Sequence, residues 1–257
     1  MITVSVPGKV YLMGEHAVVY GKPALIAAIN LRLHVNVEAG TNGIEVVSSE
    51  SSDYIRHAVN VVKQQYKLAS LPSMKITVVS DIPAGYHLGS SAAVAVGTAG
   101  AVTYFLKKVW NPAAINQIAY EVEKKMHGLP SGGDNTTVTM GGFIWFRKEL
   151  EFLKSIWQLP LRIPATMNHF FLINTGRPKE TTGEMVAYVN AKCQMLNAKY
   201  KALFDKNEEQ TKRVALAIKE GNEKELIDAI KAGERTLEGM GVVSRKVIPL
   251  IREIEKA

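Results

Sequence analysis

Pro83-Ala84-Gly85-Tyr86-His87-Leu88-Gly89-Ser90-Ser91-Ala92-Ala93 decides how the rest of this chain is read. The stretch follows an alternating apolar run, Lys75 to Val79, and precedes helix-compatible residues from Ala92 to Leu106. A small-residue turn between strand and helix gathers bare backbone N–H groups at the positive end of a helix dipole, which suits a phosphate. The plainer reading is an N-capped helix, because Ser90 and Ser91 are favoured caps. Glycines stand only at Gly85 and Gly89, so the dinucleotide fingerprint G-x-G-x-x-G is missing.

Two further segments bear on the choice. Pro7 to Gly21 (P-G-K-V-Y-L-M-G-E-H-A-V-V-Y-G) sets Lys9, Glu15 and His16 among glycines and apolar strand residues. It reads either as a solvated hairpin or as part of a substrate pocket. It is not a P-loop, since Pro23 follows Gly21-Lys22 where Ser or Thr is required. Glu123 to Asn135 (E-K-K-M-H-G-L-P-S-G-G-D-N) carries Glu123 near a helix end and returns Asp134 toward that helix through a Gly/Pro/Ser turn. Two carboxylates beside a phosphate loop suit Mg²⁺ and activation of a hydroxyl. The alternative is a helix stop followed by an Asx turn. His127 has no second His or Cys at ligand spacing, so zinc is not expected.

The 257 residues are 47% hydrophobic and 21% charged, an ordinary globular composition with room for one large domain or two smaller ones. A single cysteine, Cys193, excludes an internal disulfide and favours an intracellular setting. No signal-peptide pattern opens the chain, and no apolar run reaches membrane-spanning length, so a cytoplasmic protein without a membrane partner is expected. Part of the net charge of +7 lies in Lys-rich segments such as Lys199 to Lys224, where acids are interleaved, and Lys124-Lys125. No basic-aromatic pattern of nucleic-acid binding accompanies it.

Strands are predicted at Thr3–Val6, Val10–Met13, Ala24–Ile29, Leu33–Glu38, Ile44–Ser48, Lys75–Val79, Gly142–Arg147 and Phe170–Asn174. Helices are predicted at about Asp53–Tyr66, from Ser90, from Asn111-Pro112 to about Met126, and through most of Glu180–Lys256. Mixed strands followed by segregated helices indicate an α+β fold. The aperiodic, proline-containing stretch from Leu159 to Asn168 is the expected boundary, giving domains 1–160 and 161–257.

Lys9 to Gly21, the P-x-G-x-x-L-G-S-S-A-A loop, and E-x-x-x-H-G-x-P-S-G-x-D from Glu123 to Asp134 together resemble the mevalonate kinases of the GHMP kinase superfamily. Asn174 to Val186 extends the likeness over nearly the whole chain. Galactokinases share the loop and a G-E-H segment, but theirs continues with Asp-Tyr-Asn where this chain has Ala17-Val18-Val19. The resemblance implies an ATP-binding N-terminal domain like ribosomal protein S5 and a mostly helical, ferredoxin-like C-terminal domain. The family's K-x-x-G-A-G-G motif is missing, so the second domain is expected to be incomplete, through either a truncated sequence or a shortened variant.

By the same resemblance, the chain would phosphorylate the C5 hydroxyl of mevalonate with ATP. Asp134 would take the hydroxyl proton, with Lys9 beside it. Gly85, Tyr86, His87, Leu88, Gly89, Ser90 and Ser91 would wrap the triphosphate, with Lys9 and Ser80 near it. Ser91 and Glu123 would hold Mg²⁺; Glu15, His16 and Thr181 would meet the substrate. Small-molecule partners and compatibility with a homodimer follow. Alternatives are a phosphomevalonate or sugar kinase, or a non-catalytic nucleotide-binding relative. His87 stands where the family has glycine, so strain is expected there if the backbone needs φ > 0.

Overall fold

The computed structural model describes residues 1–127, 130–167, 170–176 and 180–256. The chain packs as two compact units, Met1–Val10 with Ala27–Gly142, and Tyr11–Ile26 with Phe143–Ala257. This is a division by packing; the expected division at residue 160 concerns family domains.

In the first unit, α1 (Ser52–Gln65), α2 (Ser90–Lys107) and α3 (Pro112–His127) accompany β3 (Ile44–Ser48), β4 (Met74–Ser80) and the greater part of β2 (Pro23–Ala39). Strand β4 lies between β3, which it pairs in parallel, and β2, which it pairs antiparallel from Leu33↔Ser80 to Ala39↔Met74. Helix α2 is buried along most of its length, from Ser90 to Thr103. Gly97 brings it close to the sheet, where an added Cβ would stand 2.8 Å from Val35 Cγ2. Asn111 caps α3 as expected, its side chain accepting from Ala114 N at 3.1 Å, with Pro112 first in the helix. The short helix α4 (Gly133–Met140) completes the unit.

In the second unit, which takes the opening residues of β2, strand β5 (Phe143–Lys148) pairs antiparallel with β6 (Lys154–Leu159). Four helices follow: α5 (Thr182–Met195), α6 (Asn197–Glu220), α7 (Glu223–Met240) and α8 (Ile248–Ile254). Helices α6 and α7 supply Val214, Ile218, Leu226 and Ala229 to a core with Met13 and Leu25. The α+β expectation holds, with strands and helices mixed as far as β6 and helices from α5 onward.

Several expected elements differ. Thr3–Val6 and Val10–Met13 are one strand, β1 (Ile2–Met13). Pro7 does not break it, because among the described residues β1 pairs with β2 alone, and a proline on such a strand need cost no ladder bond. The two pieces expected around Asn30 are likewise one strand, β2. Strand β6 and helix α4 were not expected at all. Phe170–Asn174, expected as a strand, is irregular, with Phe170, Phe171, Leu172 and Ile173 all exposed and no ladder partner among the described residues.

Candidate active site

Lys9 enters the site from β1 with its side chain almost wholly buried. Its backbone N–H donates to Leu88 O at 2.9 Å, and Nζ lies 2.9 Å from Asp134 Oδ2. Strand, glycine loop and α4 therefore meet on one lysine. The close approach has a sequence cause: a Cβ on Gly8 would stand 2.9 Å from Leu88 O, and one on Gly89 would stand 2.8 Å from Lys9 Cγ.

Asp134 does not sit in a turn. It lies in the first turn of α4, where a carboxylate faces the positive end of the helix, and about a third of its side chain reaches solvent. The helix begins after Gly132 in the left-handed region (φ 93°) and is rich in threonine, a poor helix former. Its threonines bond back instead: Thr136, Thr137 and Thr139 donate to the carbonyls of Gly132, Gly133 and Asn135 at 2.6, 2.9 and 2.7 Å. Asn135 donates to Asn116 Oδ1 at 2.5 Å, tying α4 to α3 and fixing where Asp134 stands.

The loop ahead of α2 is open, with Pro83 to His87 exposed. Positive φ values recur at Gly85 (84°), His87 (58°) and Gly89 (82°). The strain expected at His87 is present, though histidine is among the side chains that tolerate this region. Ser80 binds within its own turn, its hydroxyl accepting from Ile82 N at 3.1 Å.

Behind the loop, Glu123 is buried on α3. One carboxylate oxygen accepts from the Tyr54 hydroxyl of α1; the other lies 3.5 Å from Ser91 Oγ. Burial, then the Glu123 charge, pushes the Tyr54 hydroxyl far above its usual pKa, so it stays a donor. Ser90 Oγ lies 3.4 Å from Glu50 Oε1. Two hard oxygen donors side by side fit Mg²⁺, which takes oxygen ligands and leaves positions for phosphate oxygens and water. The described residues hold no cluster of three His, Cys, Asp or Glu at metal distance, and the side chain of His127 lies outside them. Tyr54 and Glu50 were missed in the sequence, for a tyrosine on the buried face of an amphipathic helix gives no catalytic signal.

Glu15 and His16 belong to the second unit, as does Thr181. His16 is the centre of a γ-turn, φ 60° and ψ −49°, closed by Ala17 N donating to Glu15 O at 2.7 Å. Such turns are rare and strained. Gly14, at φ 98°, lets the chain pass Ala24, whose Cα would stand 2.4 Å from an added Cβ. Thr181 caps α5 in a capping box with Glu184.

Residues 53–142 match the model of the GHMP kinases N terminal domain. A mevalonate kinase of Archaeoglobus fulgidus is 33% identical over 258 residues, 98% of this chain and 84% of that one. The chain belongs to the mevalonate kinase family. A second member, from Pyrococcus abyssi, is 30% identical over 98% of this chain and 81% of its own length. The crystal structure of L. major mevalonate kinase in complex with R-mevalonate superposes with a TM-score of 0.79 at 22% identity, covering 98% of this chain and 79% of that one. The family's GHMP kinase fold is thus the fold of this chain. No helix among the described residues is long and apolar enough to cross a membrane.

Proposed function

We propose that this mevalonate kinase family member transfers the γ-phosphoryl group of ATP to the C5 hydroxyl of mevalonate. The observation that carries the reading is the ion pair of buried Lys9 with part-exposed Asp134 at 2.9 Å, beside the glycine loop. Asp134 accepts the hydroxyl proton as that oxygen bonds to the γ-phosphorus and the bond to the ADP oxygen breaks. Lys9, held in place, offsets charge on the transferring group; the work is positioning and charge stabilisation. The backbone of Gly85 to Ser91 cradles the phosphates. Ser91 and Glu123 would hold Mg²⁺, which supplies neutralisation of phosphate charge when bound. Roles for Glu15, His16 and Thr181 toward mevalonate, and for Ser80 near the nucleotide, rest on the family motifs. The likeness also supports a cytoplasmic enzyme acting on small molecules, with a homodimer as the assembly to test by sedimentation.

ADP release coupled to a spectrophotometric signal, with mevalonate, phosphomevalonate and a sugar panel as acceptors, tests the substrate. Mevalonate is expected to be preferred, and preference for another acceptor would replace this reading. In Asp134→Asn, turnover is expected to fall by about 10²–10⁴ with ATP binding retained. Near-normal turnover there would remove Asp134 from the role of base.

A further inference from the structure

A concavity of ≈ 390 Å³ on the first unit is lined by His57, Lys63 and Lys67, by the amides of Asn60 and Gln64, and by Lys125. No carboxylate lines it, and among the described residues none of the three lysines pairs with one. The ring nitrogen Nε2 of His57 is buried without a hydrogen-bond partner. Burial, and then the charge of Lys125, hold the His57 pKa below its usual value, so the lysine's field is felt at the ring.

Helix C-termini attract lysines, and both α1 and α3 end close by. Each end supplies only about half a negative charge against three ammonium groups, which leaves an excess near +2. Lys67 adds a second anomaly. It closes α1 in a Schellman motif, donating to Gln64 O while Leu68 donates to Lys63 O, each at 3.0 Å. It does so at φ 49°, where glycine or asparagine is the usual residue. Local stability is given up and a cation gained.

We propose that this concavity binds a dianionic phosphate group, free or on a small organic phosphate, at a place distinct from the glycine loop. The lysines supply the charge, and His57, with the two amides, supplies directional donors. The site stands independently of the kinase reading. It is one helical turn along α1 from Tyr54 and two residues along α3 from Glu123, so an occupant would bear on the same two helices.

The experiment is a titration of wild-type protein with inorganic phosphate, and separately with glycerol 3-phosphate, following the His57 ring signals by NMR with and without a non-hydrolysable ATP analogue. Those signals are expected to move in saturable fashion whether or not the analogue is present. A tighter response to glycerol 3-phosphate would assign the organic source, and an equal response the free anion. Lys67→Gly removes the cation and relieves the backbone, so it should fold at least as well, yet bind phosphate about tenfold more weakly. Lys63→Gln should weaken binding similarly. Absence of any His57 shift, loss of the shift when the analogue is added, or full affinity in Lys67→Gly would each overturn the proposal.

Discussion

The missing Cβ of Gly89 would fall 2.8 Å from Cγ of Lys9, so the glycine makes room for the lysine stem and not, in the first place, for a ligand. The alternative account is that a side chain at Gly89 would crowd an approaching phosphate. Gly89→Ala adds this clash to a backbone at φ 82°, where alanine is disfavoured by roughly 1–2 kcal/mol. Turnover is expected to fall together with thermal stability, because Lys9 is displaced from Asp134. A variant that lost only ATP affinity would restore the ligand-crowding account.

Tyr54→Phe removes the donor to buried Glu123 and leaves the carboxylate short of one hydrogen bond. A lost hydrogen bond to a charged group costs about 1.5–3 kcal/mol. The expected outcome is a lower melting temperature and a higher Mg²⁺ concentration for half-maximal activity. Unchanged Mg²⁺ dependence would separate Tyr54 from the metal and leave it a packing residue.

His16 is held in a γ-turn that costs of order 1–3 kcal/mol. Glycine adopts that conformation freely, so His16→Gly is expected to keep or raise the melting temperature while lowering activity with mevalonate. A variant both less stable and fully active would show that the strain serves the fold.

Lys22 ties the turn after Gly21 to α6, with Nζ 2.5 Å from Asp205 Oδ1 and 3.0 Å from Glu208 Oε2. These hydrogen bonds raise the Lys22 pKa above 10.5, so its contribution is complete below that pH and fades as pH rises through the folded value. Glu208 is shifted below 4.5, first by its bond to Lys212 and also by Lys22, so its share is present above 4.5 and fades as pH falls through the folded value. Lys22→Met should cost up to about 1 kcal/mol, a melting shift of about 2–4 °C, constant across the neutral range and shrinking toward strong acid or strong base. A loss that grew in acid would refute the assignment.

The glycine loop, the helices around it and the strands Ile44–Ser48 and Lys75–Val79 were legible because hydrophobic period, caps and turn residues agreed there. Helix α4 was not, because Gly132-Gly133 and three threonines speak against a helix until their hydroxyls bond back along it. Lys9 and Asp134 were legible as candidate site residues through their motifs. That they stand together, 2.9 Å apart, was expected only through the family resemblance, since nothing local in either segment encodes it. Phe170–Asn174 misled because an apolar run predicts a strand only where a partner strand exists to pair with it.

The two bare α-carbons around Lys9 have a consequence for how this sequence can change. Gly8 and Gly89 are each hemmed in by what the other's segment presents, a carbonyl of the loop on one side and the lysine stem on the other. Neither can acquire a side chain first without disturbing the lysine, so a drifting lineage would have to alter both segments together. The cheapest single-step variants are closed, and sequence divergence in this part of the protein must be absorbed elsewhere.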